Sequence, residues 1–215
     1  MQPPQQDLRV IVIGGPSNAG KSTLAQSLAQ TLGWVYRATD GLGRYPGRPW
    51  ITQEGPFPPH LVEHYSSLSV EELFEGVRNH YMSMWPKIKA LITDHATDCS
   101  LEPLVLEGSA IWPETVMTLE LEQVAAIWLA PSDQLLQNRI HQASRFAEAS
   151  ARDQAIIQKF VGRALLYNQS MRDAVKRFGL ATLAVAETAT VEELTTRCLE
   201  LIHHGDARIG VRGVE

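Results

Sequence analysis

Runs of apolar residues divide this chain into strands and helices. Five short, almost uninterrupted apolar runs, most of them rich in β-branched residues, have the pattern of strands buried on both faces: 8–14, 34–38, 103–108, 124–130 and 180–186. After the first run, Leu24, Leu28 and Leu32 recur at helical spacing and Gly33 follows them. Helical segments alternate with the strands in the same way along the chain. This alternation predicts an α/β fold with one five-stranded parallel sheet and helices on both faces.

Capping patterns place the other helices. Capping boxes at 69–72 and 190–193 start two of them. The first opens a long amphipathic helix, for which we expect a kink at Pro86. A further helix spans about 150–178. The density of glycine and proline from 39 to 59 predicts a loop without regular structure.

Composition narrows the class of protein. The chain has 215 residues, a net charge of -5 and a pI near 5.8, which argues against general binding to nucleic acid or to an anionic membrane surface. No apolar run approaches the ~20 residues of a membrane-spanning helix. Cys99 and Cys198 lack metal-site spacing, so we expect reduced thiols in a cytoplasmic protein. We expect one domain over 8–203, a disordered lead-in over 1–7 and a tail over 204–215; no pattern indicates an oligomeric state.

The segment GPSNAGKS, residues 15–22, matches the G-x-x-x-x-G-K-[ST] phosphate-binding motif at every fixed position. It lies between a predicted buried strand and an amphipathic helix, which is the context that the motif requires. Lys21 is expected to contact the terminal phosphates, and Ser22 to ligate Mg²⁺. The predicted nucleotide-binding residues are Gly15, Pro16, Ser17, Asn18, Ala19, Gly20, Lys21, Ser22 and Thr23.

Two shorter motifs suggest other classes of protein. Residues 40–43 spell D-x-x-G, as in GTP-dependent switches, but none of the four asparagines is followed by lysine, so a guanine-reading N-K-x-D element is missing. HLVEH, residues 60–64, spells the inverted zinc-peptidase signature H-x-x-E-H. A pair of prolines precedes it, and the phosphate-binding motif already occupies the expected ligand edge of the sheet. We interpret both motifs as coincidental.

Together, the phosphate-binding motif, Asp40 after the second strand, LVLEGSAIWP after the third and NRIHQASR (138–145) after the fourth resemble the P-loop small-molecule kinases of the nucleoside- and nucleotide-kinase-like group. The LEGS segment also resembles its counterparts in 2-phosphoglycerate kinase-like and zeta-toxin-like kinases. The resemblance implies a P-loop NTPase fold with a helical lid over about 139–165, and ATP and Mg²⁺ as cofactors.

Two carboxylates have candidate roles in phosphoryl transfer. Asp40 is predicted to accept the proton of a substrate hydroxyl; the alternative is an aspartate that only caps a turn. Glu107 ends an apolar strand where P-loop enzymes carry the carboxylate that holds Mg²⁺, although glutamate departs from the commoner aspartate. We expect the backbone N–H groups of Gly108 and Ser109 to approach the substrate.

Four arginines are candidates for binding anionic groups. Arg44 and Arg48 lie in the loop after Asp40, so their guanidinium groups suit an acceptor with a carboxylate or phosphate, with Tyr45 and Trp50 as pocket walls. The alternative is that both arginines are solvated. Arg139 and Arg145 match the lid of the resembling kinases, where one would stack on the base and the other would reach the transferring phosphoryl group. Two further arginines compete for these roles: Arg152 and Arg163.

These assignments predict ATP- and Mg²⁺-dependent phosphoryl transfer to the hydroxyl of a small, anionic metabolite. The alternative within the kinases is a nucleoside or nucleoside monophosphate kinase. The alternative from another class is a nucleotide-dependent switch without enzymatic activity.

Overall fold

The computed structural model describes residues 8–50 and 57–209. The lead-in 1–7, the loop segment 51–56 and the end of the predicted tail, 210–215, lie outside the described residues. Five strands form one sheet: β1 (Val10–Gly14), β2 (Val35–Ala38), β3 (Leu104–Glu107), β4 (Val124–Pro131) and β5 (Ala181–Val185). All four strand pairings are parallel and the order is β2-β3-β1-β4-β5, which confirms the predicted sheet.

Seven helices surround the described sheet: α1 (Lys21–Leu32), α2 (Pro59–Ser67), α3 (Val70–Thr97), α4 (Pro113–Val116), α5 (Asp133–Ala143), α6 (Ala151–Phe178) and α7 (Val191–His203). One face of the sheet packs on α3 and α6, and the other packs on α1 and α7. β1 is buried along its whole length because it lies between β3 and β4 with helices on both faces. A third apolar cluster joins α2, α5 and α6 beyond the sheet.

One local expectation is wrong, and two further features add detail to the predicted organisation. A short 3₁₀ helix, Thr39–Leu42, starts the loop that was expected to lack regular structure. α3 continues through Pro86 as one helix, with Pro86 exposed; the kink expected there stays a prediction. Ala207 and Ile209, which fall in the predicted tail, are buried, and the Ala207 carbonyl accepts a hydrogen bond from the Ala126 N–H. Among the described helices, none is long and apolar enough to cross a membrane.

Candidate active site

The carboxyl ends of β1, β2 and β3 meet at one edge of the sheet, beside a cleft of about 680 Å³. This is where parallel sheets bind ligands, because the connections from neighbouring strands diverge there. The phosphate-binding loop lines one end of the cleft, and residues of the 39–50 loop line the other. Glu107, the last residue of β3, and Ser109, two residues later, lie between these two ends of the cleft. The sequence segments predicted to form a site are therefore together.

The phosphate-binding loop has the backbone geometry of an anion cradle. Asn18 and Gly20 have positive φ angles of 67° and 97°, and Gly20 directly precedes the first residue of α1. Such turns aim successive N–H groups at one point, and the helix N-terminus adds partial positive charge there. The buried Oδ1 atom of Asn18 has no hydrogen-bond partner among the described residues. This loop fits the polyphosphate of a nucleotide.

Lys21 is held inside the cleft. Its side chain is only 8% exposed, and Nζ donates to the carbonyl of Pro16 at 2.9 Å and to Ser109 Oγ at 3.1 Å. Burial lowers the pKa of Lys21, while the charges of Glu107 and Asp40 raise it. An incoming phosphate would favour the ammonium form further, because opposite charges close together favour ionisation. The two bonds keep Nζ at the mouth of the loop, where it would meet terminal phosphates.

Ser22 and Glu107 form the pair expected for Mg²⁺. Ser22 Oγ donates its hydrogen to Glu107 Oε1 at 2.9 Å, so the hydroxyl lone pairs stay available to a cation. Oxygen donors of this kind suit Mg²⁺. The Tyr36 hydroxyl also donates to Glu107 Oε1, at 3.2 Å. The side chains present therefore fit the ion, with Glu107 in the place where aspartate is commoner.

The Gly108 N–H does not have its predicted role, while the prediction for the Ser109 N–H stays a prediction. The Gly108 N–H donates to the Ile13 carbonyl at 3.1 Å, so the expectation that it faces the substrate is wrong. Gly108 is needed for close approach, since a Cβ atom there would lie 1.7 Å from Thr39 Oγ1. Ser109 contributes its side chain, which accepts from Lys21, and its carbonyl accepts from the Tyr167 hydroxyl at 2.7 Å.

The loop after β2 is anchored to three helices. Tyr45 stacks on His80 of α3 with ring centroids 5.0 Å apart, and it meets His64 of α2 edge-on at 5.7 Å. The Gly47 carbonyl accepts from the Tyr65 hydroxyl at 2.5 Å, which adds a second contact to α2. The Pro46 carbonyl accepts from Arg163 of α6 at 3.3 Å. Asp40, at the start of this loop, is exposed and lines the cleft.

The predicted loop residues divide between two cavities. Asp40 and Arg48 line the cleft, and they also line a second cavity of about 630 Å³ on the other side of the loop. Arg44 and Trp50 line only this second cavity. Trp50 is 8% exposed and packs edge-on against Phe160 at 5.1 Å. Of the two loop arginines, Arg48 is therefore the one beside the phosphate-binding loop.

Arg163 is a buried cation at the end of the cleft that the 39–50 loop lines. We call this the acceptor end, because it lies opposite the phosphate-binding loop. Its side chain lines the cleft, is 6% exposed and lies over the rings of Phe160 and Tyr65 at 4.7 and 5.5 Å. Among the described residues, no carboxylate is within ion-pair distance of it. A buried guanidinium with five N–H donors and no carboxylate is costly to maintain without an anionic ligand.

The other candidate arginines differ in their position relative to the cleft. Arg139 on α5 lines the cleft and donates from Nη1 to the Ala19 carbonyl at 2.9 Å, directly over the phosphate-binding loop. Arg145 follows α5 with a φ angle of 50° and is exposed. Arg152 is exposed as well, and neither it nor Arg145 lines the cleft. A role for Arg145 at the transferring phosphoryl group stays a prediction.

Part of the cleft wall was not predicted from the sequence. On the acceptor side, α3 contributes Val77, His80, Tyr81 and Met84. On the nucleotide side, the wall is formed by Ala189, which precedes α7, and by Val191 and Leu194 in its first turn. The only signal for the first group was its helical spacing, which also describes a core stripe. Around the H-x-x-E-H histidines, as elsewhere within 8–50 and 57–209, no cluster of three or more metal-ligating His, Cys, Asp or Glu side chains occurs.

The comparisons with known proteins show what fold the chain has. No protein-family model and no curated protein sequence matches the chain. A gluconokinase from Sinorhizobium meliloti 1021 is 19% identical over 94% of this chain and 95% of the gluconokinase, with a TM-score of 0.51. A deoxyadenosine kinase from M. mycoides is 13% identical over 91% and 99% of the two chains, with a TM-score of 0.52. A shikimate kinase from Aquifex aeolicus vf5 is 14% identical over 94% and 99%, with a TM-score of 0.50.

The chain has the fold of the P-loop kinases. This confirms the predicted fold class and the predicted resemblance to the P-loop small-molecule and nucleoside kinases. The finer resemblance to 2-phosphoglycerate kinase-like and zeta-toxin-like kinases stays a prediction. The three structures are named for different kinases, so the likeness shows the fold alone and leaves the function of this chain to be argued from its own residues.

Proposed function

We propose that this protein transfers the terminal phosphoryl group of ATP, with Mg²⁺, to a hydroxyl of a small anionic metabolite. The observation that carries the proposal is Arg163: a buried guanidinium, with no carboxylate partner among residues 8–50 and 57–209, lies in the same cleft as a complete phosphate-binding loop. Guanidinium groups bind carboxylates and phosphates through paired hydrogen bonds. An acceptor with such a group would neutralise Arg163.

The nucleotide end holds and neutralises the phosphates. Phosphoryl transfer depends mainly on positioning and on stabilising negative charge. The loop N–H groups and Lys21 bind the phosphate oxygens, and Arg139 lies above them. Ser22 and Glu107 would hold Mg²⁺, which supplies charge neutralisation between the phosphates when bound.

The acceptor end orients the nucleophile. Asp40 lines the cleft as an exposed carboxylate, so it can accept the hydroxyl proton as the oxygen attacks. An acceptor that is already a phosphate would need no such base. A hydroxyl acceptor therefore accounts for Asp40, and an anionic group on the same molecule accounts for Arg163 and Arg48.

The acceptor class can be tested with a panel. The protein is incubated with Mg-ATP and, separately, with hydroxy acids, sugar acids, phosphorylated alcohols and nucleosides; products are detected as an added phosphoryl mass. We expect transfer to at least one anionic alcohol. Lys21→Ala should bind Mg-ATP much more weakly and lose the product, which excludes a contaminating kinase.

Other outcomes would point elsewhere. Phosphorylation of neutral nucleosides alone would support the nucleoside kinase alternative and contradict the anionic acceptor. Slow hydrolysis with guanine preference and no acceptor would support a switch. Absence of nucleotide binding by the folded protein would overturn the proposal as a whole.

A further inference from the structure

Glu107, whose carboxylate is assigned to Mg²⁺, accepts a hydrogen bond from Tyr36 on β2, the strand at one edge of the sheet. Glu107 ends β3 and is 4% exposed. Its Oε1 atom accepts two hydrogen bonds, from Ser22 Oγ at 2.9 Å and from the Tyr36 hydroxyl at 3.2 Å. Both donors therefore converge on one oxygen, and neither of these bonds uses Oε2.

Strand register explains why Tyr36 reaches this carboxylate. β2 pairs with β3 in parallel, with Tyr36 beside Val105 and Ala38 beside Glu107. Residues two apart on a strand point to the same face and are about 6.6 Å apart. A phenol ring spans that distance, so the Tyr36 hydroxyl arrives at the Glu107 carboxylate. The small side chain of Ala38 leaves the space between them open.

The Tyr36 ring itself is fixed by packing. It is half-buried and lies against the apolar cluster between the sheet and α1. Its hydroxyl is thus presented from the rigid sheet. Ser22, by contrast, belongs to the first turn of α1, and its oxygen is also the predicted metal ligand. Of the two bonds to Oε1, only the Tyr36 bond comes from a residue without a second role at the cation.

A hydrogen bond that orients the carboxylate is useful because residue 107 is a glutamate. It has one more rotatable bond than aspartate, so its carboxylate is less restricted by the strand that carries it. Groups that hydrogen-bond a metal-holding side chain fix its orientation, and their loss commonly weakens metal binding. Here two donors on Oε1 hold the carboxylate, and Oε2 accepts no hydrogen bond from the described residues.

We propose that Tyr36 is a positioning residue for the cation: it holds Glu107 so that Glu107 and Ser22 together receive the Mg²⁺ of the bound nucleotide. This inference rests on the Mg-nucleotide part of the proposed function and is independent of the acceptor. Tyr36 acts through Glu107 and does not itself line the cleft.

The test is Tyr36→Phe, which removes only the hydroxyl. Mn²⁺ replaces Mg²⁺, and electron paramagnetic resonance measures its binding to the protein–ADP complex; calorimetry measures ADP binding in EDTA. We expect Mn²⁺ affinity to fall about tenfold, which is the lower end of the range typical for loss of a group that hydrogen-bonds a metal ligand. ADP affinity without metal should stay within twofold of the wild-type value. Tyr65→Phe is the matched control, since its hydroxyl bonds the Gly47 carbonyl at the acceptor end, and it should leave Mn²⁺ affinity unchanged.

A double-mutant cycle separates positioning from general damage. In Glu107→Gln, Mn²⁺ affinity should be low already, and adding Tyr36→Phe should weaken it by less than twofold, because the hydroxyl then has no metal-holding carboxylate to position. Equal losses of ADP affinity with and without metal would overturn the inference and assign Tyr36 to the fold. Unchanged Mn²⁺ affinity in Tyr36→Phe would overturn it as well. If Mn²⁺ binding behaves as expected but no acceptor is phosphorylated, the proposed function fails while this inference stands.

Discussion

The two ends of the cleft are built in opposite ways. The phosphate-binding end is built around one continuous segment, residues 15–22, whose backbone has the geometry of an anion cradle. The acceptor end is assembled from side chains of the 39–50 loop, α2, α3 and α6, which are far apart in sequence. A backbone cradle requires only a few glycines and a lysine at fixed spacing, whereas an assembled pocket depends on tertiary packing. The two ends should therefore respond differently to substitution.

Asp40→Asn should give the largest kinetic difference between the ends. The substitution keeps the size of the side chain and removes its basicity, so kcat should fall about 10²-fold or more, the usual scale for a lost general base. Mg-ATP affinity should change little, because Asp40 belongs to the acceptor end. Steady-state kinetics and calorimetry check the two quantities. Unchanged turnover would refute the role of Asp40 as a base.

Arg163→Met should separate acceptor binding from stability. Loss of a charge-assisted pair with the acceptor should raise the acceptor KM about 10- to 100-fold, with ATP affinity unchanged. The free energy of unfolding without ligand should stay equal or rise, because the substitution removes a buried charge that has no carboxylate partner in the described part of the chain. Arg44→Met is the control: Arg44 is exposed outside the cleft, so the acceptor KM should stay within about threefold. Equal effects of both variants would contradict the assignment of Arg163.

The same contrast explains what the sequence could reveal. The parallel sheet followed from five apolar runs, and the nucleotide end followed from one motif, because both depend on local patterns. Arg48 and Arg44 looked equivalent at a spacing of four, yet the fold of the loop brings only Arg48 into the cleft. Arg163 resembled any arginine of an amphipathic helix. Its burial depends on Tyr65, Phe160 and the loop carbonyl of Pro46, and no sequence pattern links these residues.

Gly76→Ala tests whether the acceptor loop must sit where α3 holds it. A Cβ atom at Gly76 would lie 2.4 Å from the Tyr45 hydroxyl oxygen, so the ring and its loop must shift. Alanine favours a helix over glycine by about 1 kcal/mol, yet the acceptor KM should rise about tenfold, since small displacements of positioning groups are costly. Adding Tyr45→Phe removes the clashing oxygen and should restore most of the loss. An unchanged KM in Gly76→Ala would mean that the loop position is not critical for the acceptor.

The smallest expected effect is a pH dependence confined to the acceptor end. Burial lowers the pKa of His80, and burial with the nearby Arg163 charge lowers that of His64; both histidines pack on Tyr45. Because the folded-state pKa is below the unfolded value of 6.5, the folded state favours the neutral rings. Their contribution to stability is complete above pH 6.5 and is lost as the pH falls towards the lowered pKa values. Urea unfolding between pH 5.5 and 7.5 should show this loss. The double substitution His64→Gln with His80→Gln should reduce the slope of the free energy of unfolding against pH. Among the described residues, the histidine that lines the cleft is His80, at the acceptor end, so Mg-ADP affinity should follow the titration of the nucleotide alone. A slope unaffected by the two substitutions would place the pH-sensitive groups elsewhere.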